Sequence, residues 1–161
     1  MTTPDDWRIR AEIEALYARS AELLDEGPIA EWPSLFTEDG SYKAVTRENV
    51  ERGWALALML CESRAAIEDR VYAIEHLSLT IPRRTRHLTS GLRISPEEGS
   101  AWRVETNFAV FETLAGAQTV CFAAGLYRDR IVRDADGTLR FRERTAISDS
   151  ALIRNSLVTP L

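Results

Sequence analysis

The sequence predicts an α+β fold, with helices first and a curled antiparallel sheet after them, and three observations carry that prediction. Apolar residues recur at three- and four-residue spacing as far as Ile74, and beyond Arg86 the period drops to two. The joints between the later segments are too short for helical crossovers, so neighbouring strands run antiparallel. At 161 residues with 45% hydrophobic and 28% charged side chains, the chain reads as one domain over residues 1–161. Such a domain buries about 70% of the surface its unfolded form exposes and needs neither disulfide nor metal to fold.

The first helix has Thr3 as N-cap, Pro4 at the first helical position, and Asp5 and Asp6 where acidic groups meet the positive end of the dipole. Ile13, Leu16, Tyr17, Ser20 and Leu24 form its buried stripe, which stops at Gly27-Pro28. A short second helix carries Ile29, Trp32, Leu35 and Phe36. The cluster Thr37-Glu38-Asp39-Gly40 reads as a turn, and residues 41–45 as a brief strand. Residues 47–60 fit a buried helix and a buried strand equally well. From Ser63 the spacing of Ile67, Val71 and Ile74 predicts a third helix.

Segments 87–94, 101–114, 118–133 and 138–148 read as four strands of a meander. A two-residue loop at Asp136-Gly137 sets Arg130 opposite Glu143, Val132 opposite Phe141, Asp129 opposite Arg144 and Leu126 opposite Ile147. The same register opposes Arg133 and Arg140, and with Arg142 and Arg144 it predicts a cationic stripe on one face of the hairpin.

A net charge of −5 lacks the basic footprint of nucleic-acid binding. No apolar run reaches the roughly 18 residues of a membrane span, the first residues are acidic where a leader would be basic, and the two cysteines, Cys61 and Cys121, stand far apart. A cytoplasmic location is expected. Of 20 basic residues only Lys43 is lysine, a skew that arginine-favouring codons of a high-GC genome account for in the main and that paired or interfacial cations would also favour, since a guanidinium binds carboxylates through two donors. Phosphate-binding loops, a nucleophile elbow and paired-histidine zinc motifs are all absent. The two histidines are His76, read as a surface residue, and His87, which follows Arg83-Arg84-Thr85-Arg86. His87 is expected either to orient a strand start through a hydrogen bond or to act as a base. Tyr17, Asp39 and His87 are the residues that could meet in a pocket for acid–base work.

Three stretches carry a resemblance to a known family. They are Glu31-Trp32-Pro33-Ser34-Leu35-Phe36-Thr37-Glu38-Asp39-Gly40-Ser41-Tyr42, the helical 63–71, and Arg84-Thr85-Arg86-His87-Leu88. Together with Asp149-Ser150 and Thr159-Pro160-Leu161, they make the chain resemble the small (β) subunits of bacterial aromatic-ring-hydroxylating dioxygenases. Gly91 departs from the asparagine common in that family, and Cys61-Glu62 from an acidic pair.

The resemblance implies a nuclear transport factor 2-like cone and a non-catalytic subunit that assembles and stabilises an α3β3 hexamer. It implies no catalytic, cofactor-binding or metal-binding residue in this chain. The Rieske [2Fe-2S] cluster and the mononuclear Fe(II) are expected in the larger α subunit. Arg84, Arg86, His87, Arg140, Arg142 and Leu161 are the residues expected at subunit interfaces or in structural roles, the partners being α and sister β chains. Thr46-Arg47-Glu48-Asn49 resembles subunits that serve aromatic acids. The competing readings are a free-standing isomerase or dehydratase resembling ketosteroid isomerase, built on Tyr17, Asp39 and His87, and a small-ligand binding module. An assembly subunit predicts a pocket plugged by Trp32, Phe108 and Phe122, whereas an enzyme predicts an open cavity with a perturbed carboxylate.

Overall fold

The computed structural model describes residues 4–77, 82–153 and 157–161. Helix α1 (Pro4–Asp25) leads into a 3-10 turn (Ile29–Leu35), strand β1 (Phe36–Thr46), the short α2 (Arg47–Glu51), strand β2 (Met59–Cys61) and α3 (Arg64–His76). Four long strands follow: β3 (Arg83–Glu97), β4 (Ala101–Leu114), β5 (Val120–Arg133) and β6 (Leu139–Ser148). The expected N-cap Thr3 lies outside the described residues. Ser63 does cap α3, accepting from the Ala66 N–H at 3.2 Å.

The sheet order is β2-β1-β6-β5-β4-β3, with the predicted meander running antiparallel from β3 to β6. β1 joins in parallel to β6, which makes the sheet mixed, and β2 closes that edge antiparallel to β1. α1 packs across β3 and β6 on the concave face, and α3 closes the opposite end against β1 and the 3-10 turn. Between them lies one core holding Ile13, Leu23, Trp32, Phe36, Tyr42, Tyr127, Ile131 and Phe141. Each such side chain contributes about 1.5–3 kcal/mol on leaving water.

Several expectations are corrected. Residues 37–40 belong to β1, with an irregularity between Phe36 and Ser41, because Gly40 lets Phe36 and the Phe141 carbonyl approach where a Cβ would stand at about 3 Å. Residues 47–60 form neither one helix nor one strand: Thr46 caps a single turn, a loop follows, and only Met59 and Leu60 pair, continued by Cys61. β3 starts at Arg83, four residues before the expected start at His87.

The β5–β6 loop spans 134–138 and is closed by hydrogen bonds from Asp134 N–H to Thr138 O and from Gly137 N–H to Asp134 O. Asp129–Arg144, Arg130–Glu143 and Leu126–Ile147 pair as expected. A bulge then shifts the register, so Ile131 faces Phe141, Val132 faces Arg140 and Arg133 faces Leu139. The like-charge opposition of Arg133 and Arg140 is thereby relieved. The cationic stripe does not form: Arg133 pairs with Glu12, Arg140 with Asp134 and Asp136, Arg142 with Asp39, and Arg144 turns inward.

One glycine fixes how closely two strands can pass. A Cβ on Gly125 of β5 would lie 1.9 Å from the Ile147 carbonyl oxygen of β6. Gly125→Ala is therefore expected to cost about 3 kcal/mol through forced strand separation, read as a lower urea midpoint with unchanged slope.

Candidate functional site

The bulge decides what the concave face contains. Leu139 and Phe141 point inward, and the extra residue Arg142 resets the alternation so that Arg144 points inward too. The Arg144 guanidinium lies 4.1 Å from the Tyr127 ring centroid, 4.6 Å from Phe141 and 5.2 Å from Tyr17. Three aromatic rings thus contact one desolvated cation. Asp129, on β5 opposite Arg144, supplies the counter-charge; it is 2% exposed.

The Tyr17 hydroxyl of α1 donates a short hydrogen bond to Asp129 Oδ2, and the Thr145 N–H donates to Oδ1 at 3.2 Å. Burial pushes the Asp129 carboxyl up to about 6, against the pull of Arg144 and these two donors. Burial, and then the neighbouring carboxylate, push the Tyr17 phenol well above its usual range. Burial opposes the charge on Arg144, but Asp129 and the two phenols outweigh it, so the guanidinium stays charged.

His87 stands at the other end of α1. Asp25 accepts from the His87 backbone N–H at 2.8 Å and from Nδ1 at 2.6 Å, and the imidazole side chain is only 3% exposed. Burial raises the Asp25 carboxyl, but the two bonds from His87 outweigh it and leave it below the usual carboxylate value. His87 Nε2 is buried without a hydrogen-bond partner. Both His87 and Tyr17 line a cavity of about 290 Å³ between α1 and β3, together with Ala18, Ala21, Leu92 and Thr106.

Asp39 does not join them. It sits at the far end of β1, exposed, paired with Arg142 and bonded by the Thr37 hydroxyl. The carboxylate beside Tyr17 is Asp129, and the signal for it was the Tyr127-Asp129-Ile131 alternation, which puts an acid on an inward face. The three aromatic side chains expected to plug the interior lie in the buried core. Trp32, Phe108 and Phe122 are all buried, and Phe108 stacks on Tyr127 at 4.4 Å.

The other expected site residues are placed as follows. Arg84, whose side chain is 80% exposed, and Arg86 lie on the β3 edge near Glu26. Arg140 braces the β5–β6 loop through Asp134 and Asp136, and the Asp136 bond outweighs the opposing effect of burial, so its charge is secure. Leu161 is buried within its own chain, with its N–H donating to the Tyr42 hydroxyl at 2.8 Å. Arg70 holds the same tail through the carbonyls of Leu157 and Val158.

The donor set does not fit a Rieske cluster or a mononuclear iron. His76 is exposed and stacked on Tyr72, His87 is held by Asp25, and Cys61 and Cys121 lie apart on different strands. Among the described residues, no three His, Cys, Asp or Glu side chains gather as metal ligands. No helix among them is long and apolar enough to cross a membrane.

A SnoaL-like domain matches residues 5–145. The anthranilate 1,2-dioxygenase small subunit of Burkholderia cepacia is 31% identical over 157 residues, covering 98% of this chain and 97% of that one. The terephthalate 1,2-dioxygenase terminal oxygenase component subunit beta 1 of Comamonas sp is 28% identical, covering 93% of this chain and 97% of that one. Among solved structures, a Novosphingobium aromaticivorans protein described as an aromatic-ring-hydroxylating dioxygenase β subunit superposes with TM-score 0.87. It is 32% identical, covering 96% of this chain and 98% of that one.

The raised Asp129 carboxyl has a pH signature. Between its ordinary value of 3.8 and about 6 the folded state holds a proton that the unfolded state has released. This contribution to stability is therefore present below pH 4 and lost as pH rises through 6. Removing the titration with Asp129→Asn is expected to make the stability difference, wild type minus variant, fall by about 3 kcal/mol between pH 4 and pH 7. Urea midpoints across that range check it, and a flat difference contradicts it.

Proposed function

Because the chain belongs to the family of small (β) subunits of aromatic-ring-hydroxylating dioxygenases, on a SnoaL-like domain, we propose that it is the non-catalytic assembly subunit of an α3β3 oxygenase. In this reading the chain works as one domain over 1–161 in the cytoplasm. The Rieske cluster and the mononuclear Fe(II) reside in the larger subunit, and the aromatic substrate, an aromatic acid, binds there too. The observation that carries the reading is the near end-to-end likeness to dioxygenase small subunits, in sequence and in fold. Two of the relatives are named for enzymes of aromatic acids, anthranilate and terephthalate, which supports that substrate class.

The surface agrees with an assembly role. Val50, Trp54, Leu56, Leu58 and Leu60 are exposed along the loop and edge strand β2, where alternate leucines face solvent. A contiguous apolar ridge of this kind marks a surface that leaves water on association. Arg84 and Arg86 on the opposite β3 edge offer charge to an acidic partner surface, with Glu26 as their present companion.

Purified from its host through a tag on this chain, the protein is expected to elute as a large complex containing a bigger, iron-bearing subunit. A metal-free species of this chain alone would overturn the proposal. Leu56→Asp with Leu60→Asp is expected to lower the native mass while leaving the circular dichroism of the chain unchanged, since both side chains are exposed.

A further inference from the structure

The two outer edges of the sheet carry complementary patches, and we propose that they join copies of this chain head to tail. The β3 edge of one copy seats on the β2 edge of the next. The inference rests on the assembly role proposed above and names the surfaces through which sister chains meet.

On the β2 side, Met59 and Cys61 turn into the core, so Leu60 between them faces out and is 54% exposed. Leu60 lines a groove of about 360 Å³ with Asp39, Ser41, Glu62, Arg142 and Glu143. Arg142 is spent on Asp39. Glu62 and Glu143 are exposed, and Arg130, which faces Glu143 across the ladder, reaches Glu97 instead. The groove thus sets three carboxylates against one cation that is already paired.

On the β3 side, His87 turns inward and the alternation puts Arg84, Arg86 and Leu88 on the outer side. Leu88 is 55% exposed, and Arg84 has Glu26 at 3.9 Å, which it shares with Arg86 at 2.5 Å. Backbone groups along this strand are answered from within the chain. The His87 N–H donates to Asp25, and the carbonyls of Thr85 and Leu92 accept from Arg86 and Arg10. An edge so engaged resists strand addition and keeps its side chains as the means of contact.

The two patches match in kind and in spacing. On each, a leucine stands two positions from a charged side chain, Leu60 before Glu62 and Leu88 after Arg86, about 7 Å along an extended chain. Leu88 against Leu60 takes both out of water, and the guanidinium forks of Arg84 and Arg86 then meet Glu62 and Glu143. Within one chain Glu26 is a single carboxylate for two guanidiniums, and the groove supplies the acids that are missing. Because the two surfaces differ, the contact is heterologous and closes into a ring where the rotation permits, whereas a patch paired with itself gives a twofold dimer.

Sedimentation of the full chain, alone and in the complex purified through it, tests the contact. Arg84→Glu and Glu62→Arg are each expected to weaken self-association about tenfold or more by setting like charges together. Circular dichroism should be unchanged, since both positions are exposed. Carried by the same chain, the two reversals are expected to restore association to within about threefold of wild type, because each copy again meets an opposite charge. Three results would each overturn the contact: association unmoved by either reversal, a double variant no tighter than the single ones, or a wild-type chain present as a single copy both alone and in the complex. The iron-bearing subunit reports separately on the assembly role. Its retention by a double variant that is not rescued removes this contact and leaves that role standing, whereas its absence from the wild-type preparation removes the role itself.

Discussion

A guanidinium in the middle of the core sets the terms for the rest of this structure. Arg144 is turned inward by a bulge, and a buried cation stands only if its charge is answered nearby. Asp129 answers it from the adjacent strand, and the rings of Tyr127, Phe141 and Tyr17 fill the space around it. Tyr17 is contributed by α1, so its bond to Asp129 also fixes the helix over the sheet. One extra residue in β6 thereby couples strand register, helix position and the electrostatics of the interior. The same bulge removes a like-charge pair from the surface, so Arg140 is free to brace the neighbouring loop.

The interior is built to be filled. Trp32, Phe36, Tyr42, Phe108, Tyr127 and Phe141 occupy the centre of the fold, and a cavity of about 290 Å³ lies along the flank of α1. An interior of this kind gives rigidity and outward-facing edges, as the proposed assembly role requires. The raised Asp129 carboxyl is a by-product of that packing: it sits beneath Tyr17, out of reach of solvent, and spends its lone pairs on fixed donors.

Strand periodicity made the meander legible, and β4 spans the residues that alternation alone predicts, 101–114. The α1 stripe through Ile13, Leu16 and Tyr17 was legible for the same reason. The parallel pairing of β1 with β6 was not, because it joins segments far apart in sequence and no local pattern encodes which strand β1 will meet. Residues 47–60 misled because exposed leucines at alternate positions mimic a buried run, and only tertiary context separates the two. For the site, His87 was visible as a lone imidazole in an arginine-rich run, but its partner Asp25 lies 62 positions away on α1. Asp39 stood out within a recognisable stretch, yet chain direction after the 3-10 turn carries it outward to Arg142.

The β1–β6 pairing also bears on how the chain reaches this state. The hairpins from β3 to β6 close locally, whereas β1 must wait for a partner made about a hundred residues later. Until then Phe36 lacks its contact with Phe141, and β6 presents an unpaired edge. Sheet closure is thus the slow, late step of folding, and the interval before it is when the nascent chain is most open to wrong partners and to chaperones.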